Sequence, residues 1–171
     1  MAPGEKSDIV QVLEDSRTAF NEAAGGLSEA QAAASPAEGR WSVRQCVEHV
    51  TVAEERFLGW LENAGRSESP CLDANKESEI FSSVTNRTRR AEAPEPVRPS
   101  GRYASLADAL AAFNAIRART VAFAIQRAAE LHTLACQHPR FGPVNGRELL
   151  AIIAGHANRH AEQIRETRAA V

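Results

Sequence analysis

Apolar residues return along most of this chain at the three- and four-residue spacing of a helix, and no run alternates long enough to compete as a strand. Ile9, Val12, Leu13, Phe20 and Leu27 mark a first helix over about residues 5–24, closed by Gly25-Gly26. A short helical turn begun by Ser28 and Gln31 follows. The second long helix carries the stripe Val43, Val47, Val50, Phe57 and Leu61; Ser42 and Gln45 form a capping box and Gly65 is its stop. Residues 66–104 are less regular. Ile80, Phe81 and Val84 allow a short helix there, whereas Pro94, Pro96 and Pro99 forbid one in APEPVRPSGRY. Ser105 and Asp108 open a third long helix through Leu106, Leu110, Phe113, Ile116 and Phe123, ending near Ala129. HTLACQHPRFGPVNG reads as a connector. Asn145 and Glu148 then start a last helix over about residues 146–168.

Four long amphipathic helices with one long crossover predict an all-α chain, a four-helix bundle of up-down-down-up order. Residues 66–104 read as a crossover within one domain spanning 1–171, because neither side holds enough helices to close a core alone. With 43% hydrophobic and 25% charged residues, the composition is that of a globular protein. The net charge of −2 gives no basic excess, which argues against nucleic acid as a partner. No stretch approaches a membrane span, and MAPGEKSDIV has no apolar signal core. Cys46, Cys71 and Cys136 are odd in number and far apart, so no disulfide framework is expected. A cytoplasmic protein follows from these traits.

The candidate chemistry lies near the C-terminus. His156 and His160 are one helical turn apart, on the stripe Leu149, Ile153, His156, His160 and Ile164. A buried imidazole must satisfy both nitrogens, at about 1–3 kcal/mol for each unmet group. Either each ring finds its own carbonyl, water or carboxylate, or the two share a metal. Zincin chemistry is not expected, because Ala157 stands where an HExxH motif needs its base. His49 lies at the flank of the second helix's stripe, on the side of Cys46, Ala53, Phe57 and Trp60. It reaches the pair if the second and last long helices are neighbours; otherwise it is a helix-flank histidine. Three neutral imidazoles plus water or substrate make an open, catalytic-type site. His132 and His138 fall in the connector and read as solvent- or loop-bonded.

GRWSVRQCVEHV, then APEPVRPSGRY, then HPRFGPVNGRELLAIIAGHANRHAEQI resemble the DinB/YfiT-like superfamily, over about Arg40 to Arg165. The resemblance implies a four-helix bundle that holds one divalent metal, often nickel or zinc, through a His triad. The triad's positions match His49, His156 and His160. It also implies frequent homodimers. Members include thiol-dependent S-transferases and isomerases as well as hydrolase-like enzymes, and shared fold does not select among them.

Gln163, three residues after His160, is a candidate to hydrogen-bond a ligand imidazole or bound water. Gln45 and Glu48 turn away from the face of His49, so Glu48 is a poor base despite its adjacency. Cys46 reads as a small buried hydrophobe, or as a group meeting a bound substrate. Trp41 reads as a hydrophobic staple, and with Trp60 as a possible pocket wall. Arg87, Arg89, Arg90, Arg98 and Arg102 either bind a substrate carboxylate or pair with surface carboxylates such as Glu92 and Glu95. No Ser-His-Asp order, P-loop, GxGxxG or carboxylate pair is present. The expectation is a metal-dependent enzyme acting on a small molecule. Because no general base lies at helical spacing from the triad, it favours activation of a low-molecular-weight thiol for S-transfer. The alternatives are a hydrolase using metal-bound water and a metal-binding protein without turnover.

Overall fold

The computed structural model describes residues 8–68, 73–88 and 92–171. The helices are α1 (Ile9–Ala24), α2 (Glu29–Ala33), α3 (Val43–Glu62), α4 (Ala74–Thr85), α5 (Leu106–Gln126) and α6 (Gly146–Arg168), with one 3-10 turn at Glu95–Val97. Their starts are chemically marked. Asp8 accepts from the Val10 amide at the head of α1. Full capping boxes stand at Ser28/Gln31, Ser42/Gln45 and Asn145/Glu148, so orphan amides of the first turns are met reciprocally.

The expectation of an all-helical chain is corrected by a small antiparallel sheet of β1 (Gly65–Arg66), β2 (Leu134–His138) and β3 (Gly142–Asn145), in the order β1-β2-β3. β2 and β3 form a hairpin in which His138 pairs with Gly142, and Gly142 takes the left-handed φ of 68° at its turn. Leu134, Cys136 and Val144 face inward. Strands of five, four and two residues are too short for their alternation to stand out in sequence. Gly65 is therefore a strand residue, and α3 stops earlier, at Asn63.

The four long helices form a ring in which α1 packs on α5 and α6, and α3 packs on the same two. Side-chain bonds give the directions. Arg168 of α6 donates to Ala23 O and Gly25 O at the end of α1, so α1 and α6 run parallel. Arg117 of α5 reaches Leu13 O while Asn114 meets Asn21, so α1 and α5 run antiparallel. Arg44 bonds Ala104 O near one end and Arg119 meets Glu62 at the other, so α3 and α5 run parallel. The result is the up-down-down-up order, with α4 laid against α6 from outside the ring. Gly155 permits that approach: a Cβ there would lie 3.2 Å from Val84 Cβ.

The apolar core falls into two clusters, one around Leu13, Leu58, Ile116 and Leu150, the other around Phe20, Val47, Phe113 and Ile164. Along α1, α3 and α5 the boundary coincides with buried polar residues: Ser16, Glu54 and Arg117. The Arg117 guanidinium is wholly buried and bonds both Glu54 oxygens at 2.8 Å, Leu13 O at 2.7 Å and Ser16 Oγ at 2.6 Å. No described helix is long and apolar enough to cross a membrane.

Candidate functional site

α3 and α6 are neighbours, so the condition for His49 to meet the pair on α6 is fulfilled. One ring nitrogen from each of His49, His156 and His160 lies within 4.8 Å of the others. His156 Nε2 stands 3.1 Å from His49 Nε2 and 3.1 Å from His160 Nε2. His49 and His160 are buried, and His156 keeps part of its surface open. The stripe read on α6 thus carries both histidines inward, and α3 supplies the third ring from across the groove.

The ring of His49 is oriented from outside the cluster. Its Nδ1 lies 2.7 Å from Val97 O on the crossover. A carbonyl only accepts, so Nδ1 carries the proton and the neutral ring presents a bare Nε2 to the other two imidazoles. Burial lowers the pKa of His49, and the Val97 bond works partly against it. Burial, then the neighbouring imidazoles and nearby arginines, hold His156 and His160 well below the usual histidine value. All three are therefore neutral near pH 7, the form a metal requires. A single proton on His156 Nε2 cannot point at both neighbouring nitrogens, whereas one divalent cation satisfies the lone pairs together. The cluster has the donor set of a divalent-metal site, and among the described residues no carboxylate or thiol joins it.

Aromatic rings flank the histidines. The Trp41 centroid lies 4.8 Å from that of His49 and 6.4 Å from that of His160. Trp41 is thus more than a staple at the helix entry; it packs on the site. On the other side Phe57 lies 6.4 Å from His156 and 5.7 Å from His138, with Trp60 beyond it. His138, read from sequence as a loop residue, does hydrogen-bond its own loop. Its Nδ1 accepts from the amides of Arg140 at 3.1 Å and Phe141 at 3.3 Å. Its proximity to Phe57 had no sequence signal, because the hairpin that swings it there is itself invisible in the pattern.

The remaining candidates separate. Cys46 is fully buried and its thiol is pushed up to about 12, chiefly by burial, so it packs rather than reacts. Cys136 is likewise raised by burial, and Cys71 lies outside the described residues. Glu48 is no base: its carboxylate accepts from Ser100 and Gly101. Gln163 makes no bond to His160 Nδ1, which is buried without a hydrogen-bond partner. Arg102 forms a two-toothed pair with Glu55, Arg98 meets Ala93 O and Glu92, and Arg87 meets Arg159 O and Glu166. These arginines pair within the protein, and Arg89 and Arg90 lie outside the described residues.

No curated protein matches the chain in sequence. Among solved structures the fold is similar to that of YfiT from Bacillus subtilis, whose description reads "a probable metal-dependent hydrolase with an unusual four-helix bundle topology". The two share 18% identity at a TM-score of 0.59, over 98% of this chain and 87% of that one. The model of the DinB superfamily matches residues 12–164, a span that takes in α3 and α5 whole, most of α1 and α6, and all three clustered histidines. Because that match covers most of the chain, the chain belongs to the DinB superfamily.

Proposed function

We propose that the protein is a divalent-metal-dependent hydrolase of a small-molecule substrate, with His49, His156 and His160 as the metal ligands. The observation that carries this reading is three converging neutral imidazoles with no fourth protein donor beside them among the described residues. Structural zinc sites are closed by four protein ligands, and sites with three leave a position for water or substrate. When bound, a divalent ion supplies Lewis acidity: it lowers the pKa of water toward neutrality and polarises a carbonyl or phosphoryl oxygen. Zinc and nickel both suit imidazole ligands.

The chain's own residues do the rest. The Val97 carbonyl holds His49 with its lone pair turned inward. Trp41 and Phe57 wall the cluster and limit water around it. His138, with Nδ1 occupied by two amide donors, keeps its proton on Nε2 and serves as a donor rather than a base. The lack of a carboxylate base no longer favours thiol transfer, since acidified water needs none. The similarity to a probable metal-dependent hydrolase supports hydrolysis, and no observation specifically favours a thiol.

The test has two parts. Metal content is compared between wild type and His160→Ala, and both zinc- and nickel-loaded proteins are assayed on activated esters and amides. We expect His160→Ala to lose metal and cleavage together. Equal metal content in the two proteins would sink the ligand assignment. Metal-dependent consumption of a low-molecular-weight thiol, without ester or amide cleavage, would replace hydrolysis by S-transfer.

A further inference from the structure

Glu48 and His49 are consecutive on α3, and both grip the same stretch of crossover. His49 Nδ1 bonds Val97 O at 2.7 Å. Glu48 Oε1 accepts from the Ser100 amide at 2.6 Å and from Ser100 Oγ at 3.2 Å, and Oε2 accepts from the Gly101 amide at 3.2 Å. Glu48 is only 2% exposed, so these bonds are its carboxylate's substitute for water. The strap itself has little core: Val97 is half-buried, while Glu95, Pro96, Arg98 and Ser100 are exposed. Its other described hydrogen-bonded ties to α3 come after this stretch and are exposed, Arg102 to Glu55 and Arg44 to Ala104 O. Between Val97 and Ser100 stand only Arg98 and Pro99, and proline fixes φ. A short, stiff segment clamped at Ser100 and Gly101 therefore has its Val97 carbonyl placed as well.

We propose that Glu48 is a positioning residue for the metal site: by clamping Ser100 and Gly101 it holds the Val97 carbonyl on His49 and keeps that ring in the tautomer that offers Nε2. The inference rests on the reading of the triad as a metal site. Glu48 touches neither metal nor substrate. It acts through five residues of backbone and one hydrogen bond, a route that helical spacing on α3 alone would never suggest.

The experiment titrates zinc and nickel ions separately into metal-free wild type, Glu48→Ala and Glu48→Gln, with helix content followed by circular dichroism. Long-range proton–nitrogen correlations of the histidine rings read the His49 tautomer in the same samples. Loss of an outer-shell partner typically weakens metal binding by about 10–100-fold, and for this indirect link we expect about tenfold in Glu48→Ala. Glu48→Gln keeps one acceptor and should fall between. The variant ring should populate the Nε2-protonated tautomer, which a purely structural loss would not produce. Affinity within twofold of wild type in folded Glu48→Ala overturns the proposal, whatever the tautomer. If Glu48→Ala does not fold, Gly101→Ala loosens the strap from the other side, because Gly101 has a φ of 82° and a Cβ there meets no atom. The same drop is then expected, and wild-type affinity overturns the proposal equally. Should wild type itself bind neither ion, the hydrolase reading fails, while the tautomer shift still reports on Glu48.

Discussion

His49, His156, His160 and His138 all sit in folded surroundings that disfavour their charged forms, with burial the first cause in each. In the unfolded chain they titrate near 6.5. The sign of the pH effect follows. Above that value neither state is protonated, and the histidines add no pH dependence. Below it the unfolded chain takes up protons that the folded protein refuses, so stability is lost as pH falls from 6.5 toward the depressed folded values. Each histidine held fully neutral adds a slope of up to about 1.4 kcal/mol per pH unit. Urea midpoints of metal-free protein should stay level in the histidine contribution above 6.5 and drop steeply below it; a midpoint unchanged down to about pH 5.5 would contradict this. At this scale the pair on α6 was legible, because two imidazoles on an apolar stripe are an anomaly in the hydrophobic pattern. His49 was a conditional candidate, since its role depends on which helix lies opposite. Val97 was not legible at all, because its contribution is a backbone carbonyl, and every residue has one.

The long helices were readable as elements, since each repeats its apolar face over several turns, and the starts of α3, α5 and α6 were readable from their capping side chains; α1, expected from about residue 5, begins only at Ile9, behind the Asp8 cap. The hairpin was not. Its inward residues, Leu134, Cys136 and Val144, form no run long enough to declare a period, and pairing with β1 depends on a segment far away in sequence. The short helix α4 was anticipated through Ile80, Phe81 and Val84, but not its seat. That seat is Gly155, where a Cβ would lie 3.2 Å from Val84 Cβ and Cγ1 and 3.4 Å from Phe81 Cδ2. Val84 Cβ is fixed to the α4 backbone and cannot swing aside, so the helix itself must shift. Alanine is about 1 kcal/mol better than glycine inside a helix, while overpacking typically costs about 1–3 kcal/mol. Gly155→Ala should therefore be destabilised by roughly 1 kcal/mol in net. Its loss should appear as faster amide exchange in α4, with α1 and α5 unchanged. A rise in melting temperature would show that α4 yields freely.

Across the whole molecule, the Glu54–Arg117 pair joins three of the four bundle helices, since the same guanidinium also holds Leu13 O and Ser16 Oγ on α1. Removing one member of a buried pair leaves the other charge uncompensated and costs about 3–5 kcal/mol. Arg117→Met should show that loss in chemical denaturation. Arg117→Met combined with Glu54→Leu should recover part of it, because no lone charge remains buried. A single variant as stable as wild type would mean that water reaches Glu54. The pair was not read beforehand, because an arginine or glutamate on a helix is ordinarily solvated; yet Arg117 lies four residues after Phe113 and Glu54 four after Val50, each on its helix's apolar stripe, and the ring order of the bundle then sets them face to face. Much the same division runs through the protein. Its sequence by itself determined the helices, the order in which they are joined and the two histidines on one stripe, because periodicity and capping are local properties of the chain. Tertiary structure alone decided that His49 stands opposite that pair, that a Val97 carbonyl sets its tautomer, that Trp41 packs on His49 and His160, and that Phe57 stands between His156 and His138. Apart from Trp41 beside His49, those contacts link residues tens of positions apart, and their energies exist only once the helices have chosen their neighbours.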